Sequence, residues 1–167
     1  MPFFRNKSKK TIFNVSDNIK ETVHIPADIT HIIRSMADIT NIISGRYMTS
    51  DTIVKKVIFY GKNVESIGEY AFYGCTNLKT IRLENNTKDG VITIPDEVNT
   101  IPDSVTSIGP YAFASCITLN SVAFNGNNVT TIGEHAFHNC KILGNITIPG
   151  SVTSIGKDAF AKCINLN

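Results

Sequence analysis

Apolar residues recur along this chain at fixed spacings, and the whole pattern repeats about every 23 residues. Residues 128–148 contain it in full, in the order V-x-x-I-G-x-x-A-F-x-x-C-x-x-L-x-x-I-x-I. The same order occurs in residues 64–83 and 105–124, and it begins again at Val152. A period in the low twenties predicts a solenoid, because each unit is too small to bury a core alone and must stack on its neighbours.

The I-x-I part of each unit alternates apolar and polar residues, which is typical of a half-buried strand. Its apolar residues, such as Val57 and Phe59, are predicted to face the core. The outward residues are predicted to form one exposed face of a parallel sheet, and they are Lys56, Ile58, Tyr60, Thr80, Arg82, Ser121, Ala123, Asn145 and Thr147. The V-x-x-I-G part is predicted as a second extended segment in which Gly relaxes the backbone. A-F-x-x-C is predicted as a short helical turn on the opposite side.

Two residue types keep the same position in every copy and are predicted to stack as columns in the core. They are the phenylalanines and cysteines Phe72, Phe113, Phe137, Phe160, Cys75, Cys116, Cys140 and Cys163. Four cysteines would be enough for two disulfides. Their shared repeat position favours a column of reduced thiols that act as small apolar groups, with bridges between neighbouring coils as the alternative.

These copies resemble the BspA-like class of leucine-rich repeats, whose units read roughly L-x-x-I-x-I-P-x-x-V-T-x-I-G-x-x-A-F-x-x-C. The resemblance covers residues 54–167 well and residues 19–53 poorly. It implies an α/β solenoid, a horseshoe with a parallel sheet of short strands on one face and short helical turns on the other. It also implies a non-catalytic binding or adhesion role, and it suggests a place at the cell surface or outside the cell.

The N-terminal third departs from the repeat. Residues 1–10 are polar and basic and are predicted to be a flexible leader. Residues 11–53 are predicted to form a degenerate capping repeat with a helix over residues 33–44, where isoleucines and Met36 fall at helical spacing. Two further short strands are the alternative for that segment. The regular repeats are then residues 54–167.

The repeat array itself is irregular at two places. Cys75 and Cys116 lie 41 residues apart, 18 more than one repeat, which predicts an irregular insert at residues 84–101. A protruding β-hairpin at about residues 79–95 and an insertion without a role are both compatible with it. The last repeat stops after Leu166, before its I-x-I strand. Its open coil is therefore predicted to fray or to be covered, for example by self-association.

Composition excludes several classes of protein. The 167 residues suffice for one domain, and a net charge of +2 argues against a nucleic-acid surface. The chain has no run of 18 apolar residues that would span a membrane, and no apolar segment follows the basic leader, so a signal peptide is not predicted.

Candidate chemistry is sparse. His135, His138 and Cys140 are close in sequence, but the histidines occupy variable outer positions whereas the cysteine belongs to the core, so no metal site is predicted. Phosphate loops and nucleophile motifs are absent from the sequence, and neither a cofactor nor catalysis is predicted. Tyr70, Tyr73 and Tyr111 are expected either to pack along neighbouring coils or to form a second binding patch.

The sequence therefore favours a recognition scaffold that binds another protein, such as a host or matrix protein, or a glycan through the strand face. Lys56, Tyr60 and Arg82 are the expected anchors of that face, because Tyr and Arg dominate interface hot spots. The alternative is a structural spacer that assembles end to end through the open last coil. An enzyme-associated module is less favoured.

Overall fold

A computed structural model describes residues 12–14, 22–25, 31–33, 54–60, 63–84 and 99–167 as coils of a parallel solenoid. Within these residues, short strands pair side by side and no helix occurs. The strands are β1 (Ile12–Asn14), β2 (Thr22–Ile25), β3 (His31–Ile33), β4 (Lys56–Tyr60), β5 (Ser66–Ile67), β6 (Thr80–Glu84), β7 (Thr100–Ile101), β8 (Ser107–Ile108), β9 (Ser121–Phe124), β10 (Thr131–Ile132), β11 (Asn145–Ile146) and β12 (Ser154–Ile155). The predicted leader at residues 1–10 and nearly all of the predicted helix at residues 33–44 lie outside the described residues.

The continuous sheet of the solenoid has six parallel strands in the order β1-β3-β5-β8-β10-β12. Four of them, β5, β8, β10 and β12, come from the V-x-x-I-G segments. Isoleucines stand in register across five of these strands. They are Ile32, Ile67, Ile108, Ile132 and Ile155. Because each strand comes from the next coil along the chain, this sheet fixes the stacking of the whole array.

Glycines follow Ile108, Ile132 and Ile155, and they permit close approach between coils. A Cβ atom on Gly109, Gly133 or Gly156 would lie within 2.3–2.7 Å of backbone atoms of the preceding coil. None of the three has a positive φ. The predicted role of this glycine, relaxing the backbone, is therefore wrong, and the side chain is excluded because there is no space for it.

The I-x-I strands form two three-stranded parallel sheets rather than one, in the orders β2-β4-β6 and β11-β9-β7. Strands β6 and β7 lie side by side without a backbone ladder. The side chain of Asn99 joins them, since its Oδ1 accepts a 2.7 Å hydrogen bond from the Ile81 amide. The backbone carbonyl of Asn99 accepts a 2.6 Å bond from the Ala123 amide of β9.

The predicted insert at residues 84–101 lies at this junction. Most of it, residues 85–98, lies outside the described residues, as does most of the connecting part of the predicted hairpin. The six-stranded sheet continues across the same junction, because Ile67 of β5 pairs with Ile108 of β8. The insert therefore interrupts the backbone ladder of one side of the solenoid and not that of the other.

The third side of each coil is a series of turns and not the predicted short helix. The amides of Tyr70, Phe72 and Gly74 donate to carbonyls of the next coil at 2.7–3.0 Å, whereas the amides of Ala71 and Tyr73 bond back three residues along their own chain. This alternation accompanies left-handed residues that stand four apart in each coil, with φ of 55° at Tyr70 and 70° at Gly74. Such residues interrupt any helix.

Stacked rings form the centre of the core. Phe72, Phe113, Phe137 and Phe160 lie one above the other with centroids 5.3–5.4 Å apart. Beside this column the four cysteines are all free thiols, and three of them are fully buried. The Sγ atoms of Cys116, Cys140 and Cys163 donate to the phenylalanine carbonyl of the preceding coil at 3.1–3.2 Å.

Candidate ligand-binding face

The residues predicted for the binding face occupy two sheets. Strands β4 and β6 hold one half of the face, in which Lys56 is in register with Thr80 and Ile58 with Arg82. Strand β9 and the segment that begins with β11 hold the other half, where Ser121 is in register with Asn145. These two halves differ in charge and in shape.

The half on β4 and β6 is cationic. Lys56 is exposed, and Arg82 and Thr80 are half-buried. Two further exposed lysines that the prediction did not include, Lys55 and Lys79, precede the same strands and are linked by a 3.0 Å backbone hydrogen bond. Four cations thus lie on two neighbouring coils.

Ile58 does not belong to the exposed surface, and its prediction is wrong. Its side chain is only 8% exposed. Strand β4 is the central strand of its sheet, and the register neighbours of Ile58 are His24 of β2 and Arg82 of β6. Tyr60 ends the same strand, but its side chain lies outside the described part of the protein.

The half on β9 and β11 contains an open groove of ≈ 400 Å³. Four predicted face residues line it, namely Ser121, Ala123, Asn145 and Thr147. The other lining residues are Val122, Phe124, Gly126, Ile146 and Pro149. The groove is therefore uncharged, with hydroxyl and amide groups beside an apolar wall.

Sequence reasoning did not find the apolar wall. Phe124, Ile146 and Ile148 were predicted to face the core, yet the first two are half-buried and the third is 36% exposed. In the described part of the chain β11 is an edge strand, with β9 on one side only. Gly126 and Pro149 follow the strands at corners of the coil. The alternation of apolar and polar residues does not extend to these corners, so it could not predict that they line the groove.

Aromatic rings cover the turn side of the solenoid, opposite the core from the strands. Tyr70 and Tyr111 stack with centroids 4.8 Å apart and an interplanar angle of 4°, and His135 stacks on Tyr111 at 4.7 Å. Burial raises the pKa of both tyrosines, with the neighbouring carboxylates adding to the shift. The faces of these three rings cover one another, so the rings pack neighbouring coils together. Mainly their edges remain available to a partner.

The same side brings two histidines together. The Nδ1 atoms of His135 and His138 are 3.3 Å apart. Burial, followed by Lys162 and His135, lowers the pKa of His138, and Asp158 opposes the shift. Cys140 lies in the core instead. The two histidines and the cysteine therefore diverge, as the repeat pattern predicted. Among the described residues, no group of three or more His, Cys, Asp or Glu side chains is placed to hold a metal.

Comparison with known families identifies the repeat. A family model described as BspA type leucine rich repeat region (6 copies) matches residues 93–167. The repeats of residues 93–167 are BspA-type leucine-rich repeats. The resemblance seen in the sequence is confirmed by this match, and the solenoid of parallel strands is the form that BspA-type repeats take here.

Solved structures of bacterial leucine-rich repeat proteins have the same fold. A leucine rich repeat protein of T. pallidum (TpLRR) superposes with a TM-score of 0.66 at 23% identity over 93% of this chain. Leucine-rich repeat proteins of Bacteroides ovatus and Eubacterium ventriosum give TM-scores of 0.59 and 0.56 at 27% and 26% identity, over 87% and 84% of this chain. Among curated proteins, none matches the chain.

The chain is shorter than these similar proteins. It spans 60% of the T. pallidum chain, 36% of the B. ovatus chain and 30% of the E. ventriosum chain. In the residues that the structure describes, no helix has the length and apolar character needed to cross a bilayer.

Proposed function

We propose that this chain is a non-catalytic recognition module that binds a protein partner through the outward face of its I-x-I strands. The observation that carries the proposal is the uncharged groove over β9 and β11, lined by Ser121, Ala123, Asn145 and Thr147. Rigid arrays of short strands present such side chains at fixed spacing, which suits recognition of a macromolecule.

The dimensions of the face favour a protein over a small molecule. Six strands lie side by side on it, from β2 to β11, and at ~4.8 Å per strand they extend over roughly 25–30 Å. That length matches a protein interface of standard size. The cationic half with Lys56 and Arg82 and the neutral groove would then contact different parts of one partner, with the charges steering its approach.

Filling the groove tests the proposal. Ala123→Arg and Thr147→Arg together place two long side chains over the groove. Thr131→Arg is the matched control, because Thr131 is exposed on β10 of the other sheet. Binding of the purified chain to immobilised matrix proteins and to a glycan array is measured for the wild type and both variants. Binding to a protein that the groove variant loses and the control keeps would support the proposal.

Two other results would contradict it. Equal binding by the groove variant and the wild type would remove the groove from the interface. Binding that is confined to glycans would replace the protein partner by a glycan. A Lys56→Ala, Arg82→Ala variant tests the cationic half separately. It should bind the partner more weakly than the wild type at low salt and equally well at high salt, because salt screens these charges.

A structural spacer that assembles end to end is the second candidate. It is favoured by two exposed isoleucines of the coil that begins at Val152, with Ile155 49% and Ile164 76% exposed. Sedimentation velocity at several concentrations, with Ile155→Lys, Ile164→Lys as the variant, tests it. Concentration-dependent growth that the variant abolishes supports assembly, and a monomer at every concentration counts against it.

Display outside the cell remains a proposal that rests on the family resemblance. Protease treatment of intact cells that express the protein tests it. Digestion of the repeat array without lysis is expected, and full protection would place the array inside.

A further inference from the structure

His135 and His138 are held with two ring nitrogens at a defined separation. Their Nδ1 atoms are 3.3 Å apart, their ring centroids are 5.1 Å apart, and the ring planes meet at 74°. Both side chains lie on the turn side, away from the strand face. A site formed by these two histidines would therefore be independent of the proposed binding face.

The distance between the two Nδ1 atoms matches that expected for two imidazoles bound to one metal ion. Two nitrogens at about 2.05 Å from one ion, at a tetrahedral angle, lie about 3.3 Å apart. If both rings also point at that ion, their centroids lie about 5.2 Å apart. Two rings in a collinear hydrogen bond of the same length would have centroids about 5.6 Å apart. The observed 5.1 Å fits rings that converge on a common point.

The surroundings of His135 resemble the outer shell of a metal ligand. Its Nε2 lies 3.4 Å from Oε1 of Glu134. A proton on Nε2 that faces this carboxylate leaves the lone pair on Nδ1, which is the arrangement that most metal-ligating histidines adopt. The stack on Tyr111 and a left-handed backbone with φ of 53° hold the ring in place.

We propose that His135 and His138 form a binding site for a divalent transition metal ion such as Cu²⁺, Ni²⁺ or Zn²⁺, held between their Nδ1 atoms. Imidazole ligands suit these three ions, and Cu²⁺ is expected to bind most tightly. In the described part of the chain no third protein ligand joins the pair, so water or groups of a bound partner complete the coordination.

Two neutral histidines can bind the ion without a net gain or loss of protons. In the metal-free pair one Nδ1 carries the proton that the other accepts. When the ion binds, that proton moves through solvent to Nε2 of the same ring, so no net proton is released. Glu134 and Asp158 favour a cation at this place, whereas Lys162 opposes it.

The repeat itself supplies the test variants. His138→Ala introduces the residue that the neighbouring repeats have at Ala114 and Ala161, and His135→Tyr introduces the residue found at Tyr70 and Tyr111. Both should therefore fold. His31→Ala removes a histidine from another part of the solenoid, and Cys163→Ser removes the half-buried thiol as a competing ligand.

Calorimetric titration of the untagged chain with Cu²⁺, Ni²⁺ and Zn²⁺ measures the affinity, and electron paramagnetic resonance of the Cu²⁺ form counts bound nitrogens. One ion per chain with two nitrogen ligands is expected. Each of His135→Tyr and His138→Ala should weaken binding more than about tenfold, since even loss of an outer-shell partner costs about 10–100-fold. His31→Ala and Cys163→Ser should bind like the wild type.

Three results would overturn the site. They are no saturable binding by the wild type, affinity that is unchanged in either pair variant, and affinity that Cys163→Ser removes. Circular dichroism of every variant confirms that the fold is retained, so that lost binding reports on the ligands.

Discussion

A Cβ atom on Gly133 would lie 2.5 Å from the backbone nitrogen of Pro110 in the preceding coil. Because the obstacle is backbone, it cannot turn away as a flexible side chain would. Gly133→Ala is expected to lower the free energy of unfolding by about 1–3 kcal/mol, the usual cost of overpacking. Urea unfolding measures the change. Gly144→Ala is the control, since its nearest atoms would be 3.8 Å away, and a change within about 0.5 kcal/mol is expected there. Equal effects of the two substitutions would contradict the close approach.

Asn99 replaces a backbone ladder at the junction of β6 and β7, and its removal should be costly. Asn99 is 3% exposed, and its side chain bonds both the Ile81 amide and the side chain of Asn120. Asn99→Ala leaves a buried amide without this acceptor, which is expected to cost about 1–3 kcal/mol. Asn125→Ala, at an exposed position, is the control for urea unfolding. A neutral result for Asn99→Ala would show that the junction is held by other contacts.

The cysteines should differ in reactivity along the column. The neighbouring Cys163 thiol and burial raise the pKa of the Cys140 thiol, and the reactive species is the thiolate. Cys140 is therefore expected to alkylate far more slowly than the half-buried Cys163 at pH 8, whereas all four should react together in urea. Mass spectrometry after timed iodoacetamide labelling follows each site. Labelling of Cys140 as fast as Cys163, or a mass that shows two disulfides, would contradict the thiol column.

His138 should make stability depend on pH. Its pKa is lowered in the folded state, so between the folded and unfolded pKa values the unfolded chain binds more protons. The corresponding stabilisation is complete above the unfolded pKa of about 6.5 and is lost as pH falls through the folded value. The wild type should therefore lose more unfolding free energy than His138→Ala between pH 7.5 and pH 5. Parallel losses in urea experiments would show that His138 does not contribute.

The solenoid and the parallel direction of its strands could be predicted from spacing alone. One copy of the pattern would have been weak support, but copies in register require that equivalent residues stack. The I-x-I alternation separates inward from outward positions as long as a strand has one buried face. It fails at Ile58, which is outward and yet buried, and at Ile148, which follows the edge strand β11, because burial there depends on neighbours and not on alternation.

The turns could not be predicted in the same way. The spacing of Ala71, Phe72 and Cys75 fits one helical turn as well as it fits successive turns that contain left-handed residues. Glycine is the usual signal for a positive φ, but Tyr70, Tyr111 and His135 occupy that position in three of the repeats.

The groove and the histidine pair could be predicted only in part, because they depend on distances between residues of different segments. The outward residues of β9 and β11 were predicted, whereas the groove also needs Gly126 and Pro149 at corners between segments. The repeat pattern predicted His135 and His138 on the outside of the coil. The separation of their rings, 5.1 Å between centroids, is visible only in three dimensions.

The junction at Asn99 also has a use in protein engineering. One amide side chain joins β6 to the following coil, while the ladders of the six-stranded sheet and of the turn side pass this point without a break. Added polypeptide between Glu84 and Asn99 therefore does not have to preserve the period of the array. This corner is the natural position at which to graft a foreign epitope, a reporter peptide or a whole small domain onto a rigid display scaffold.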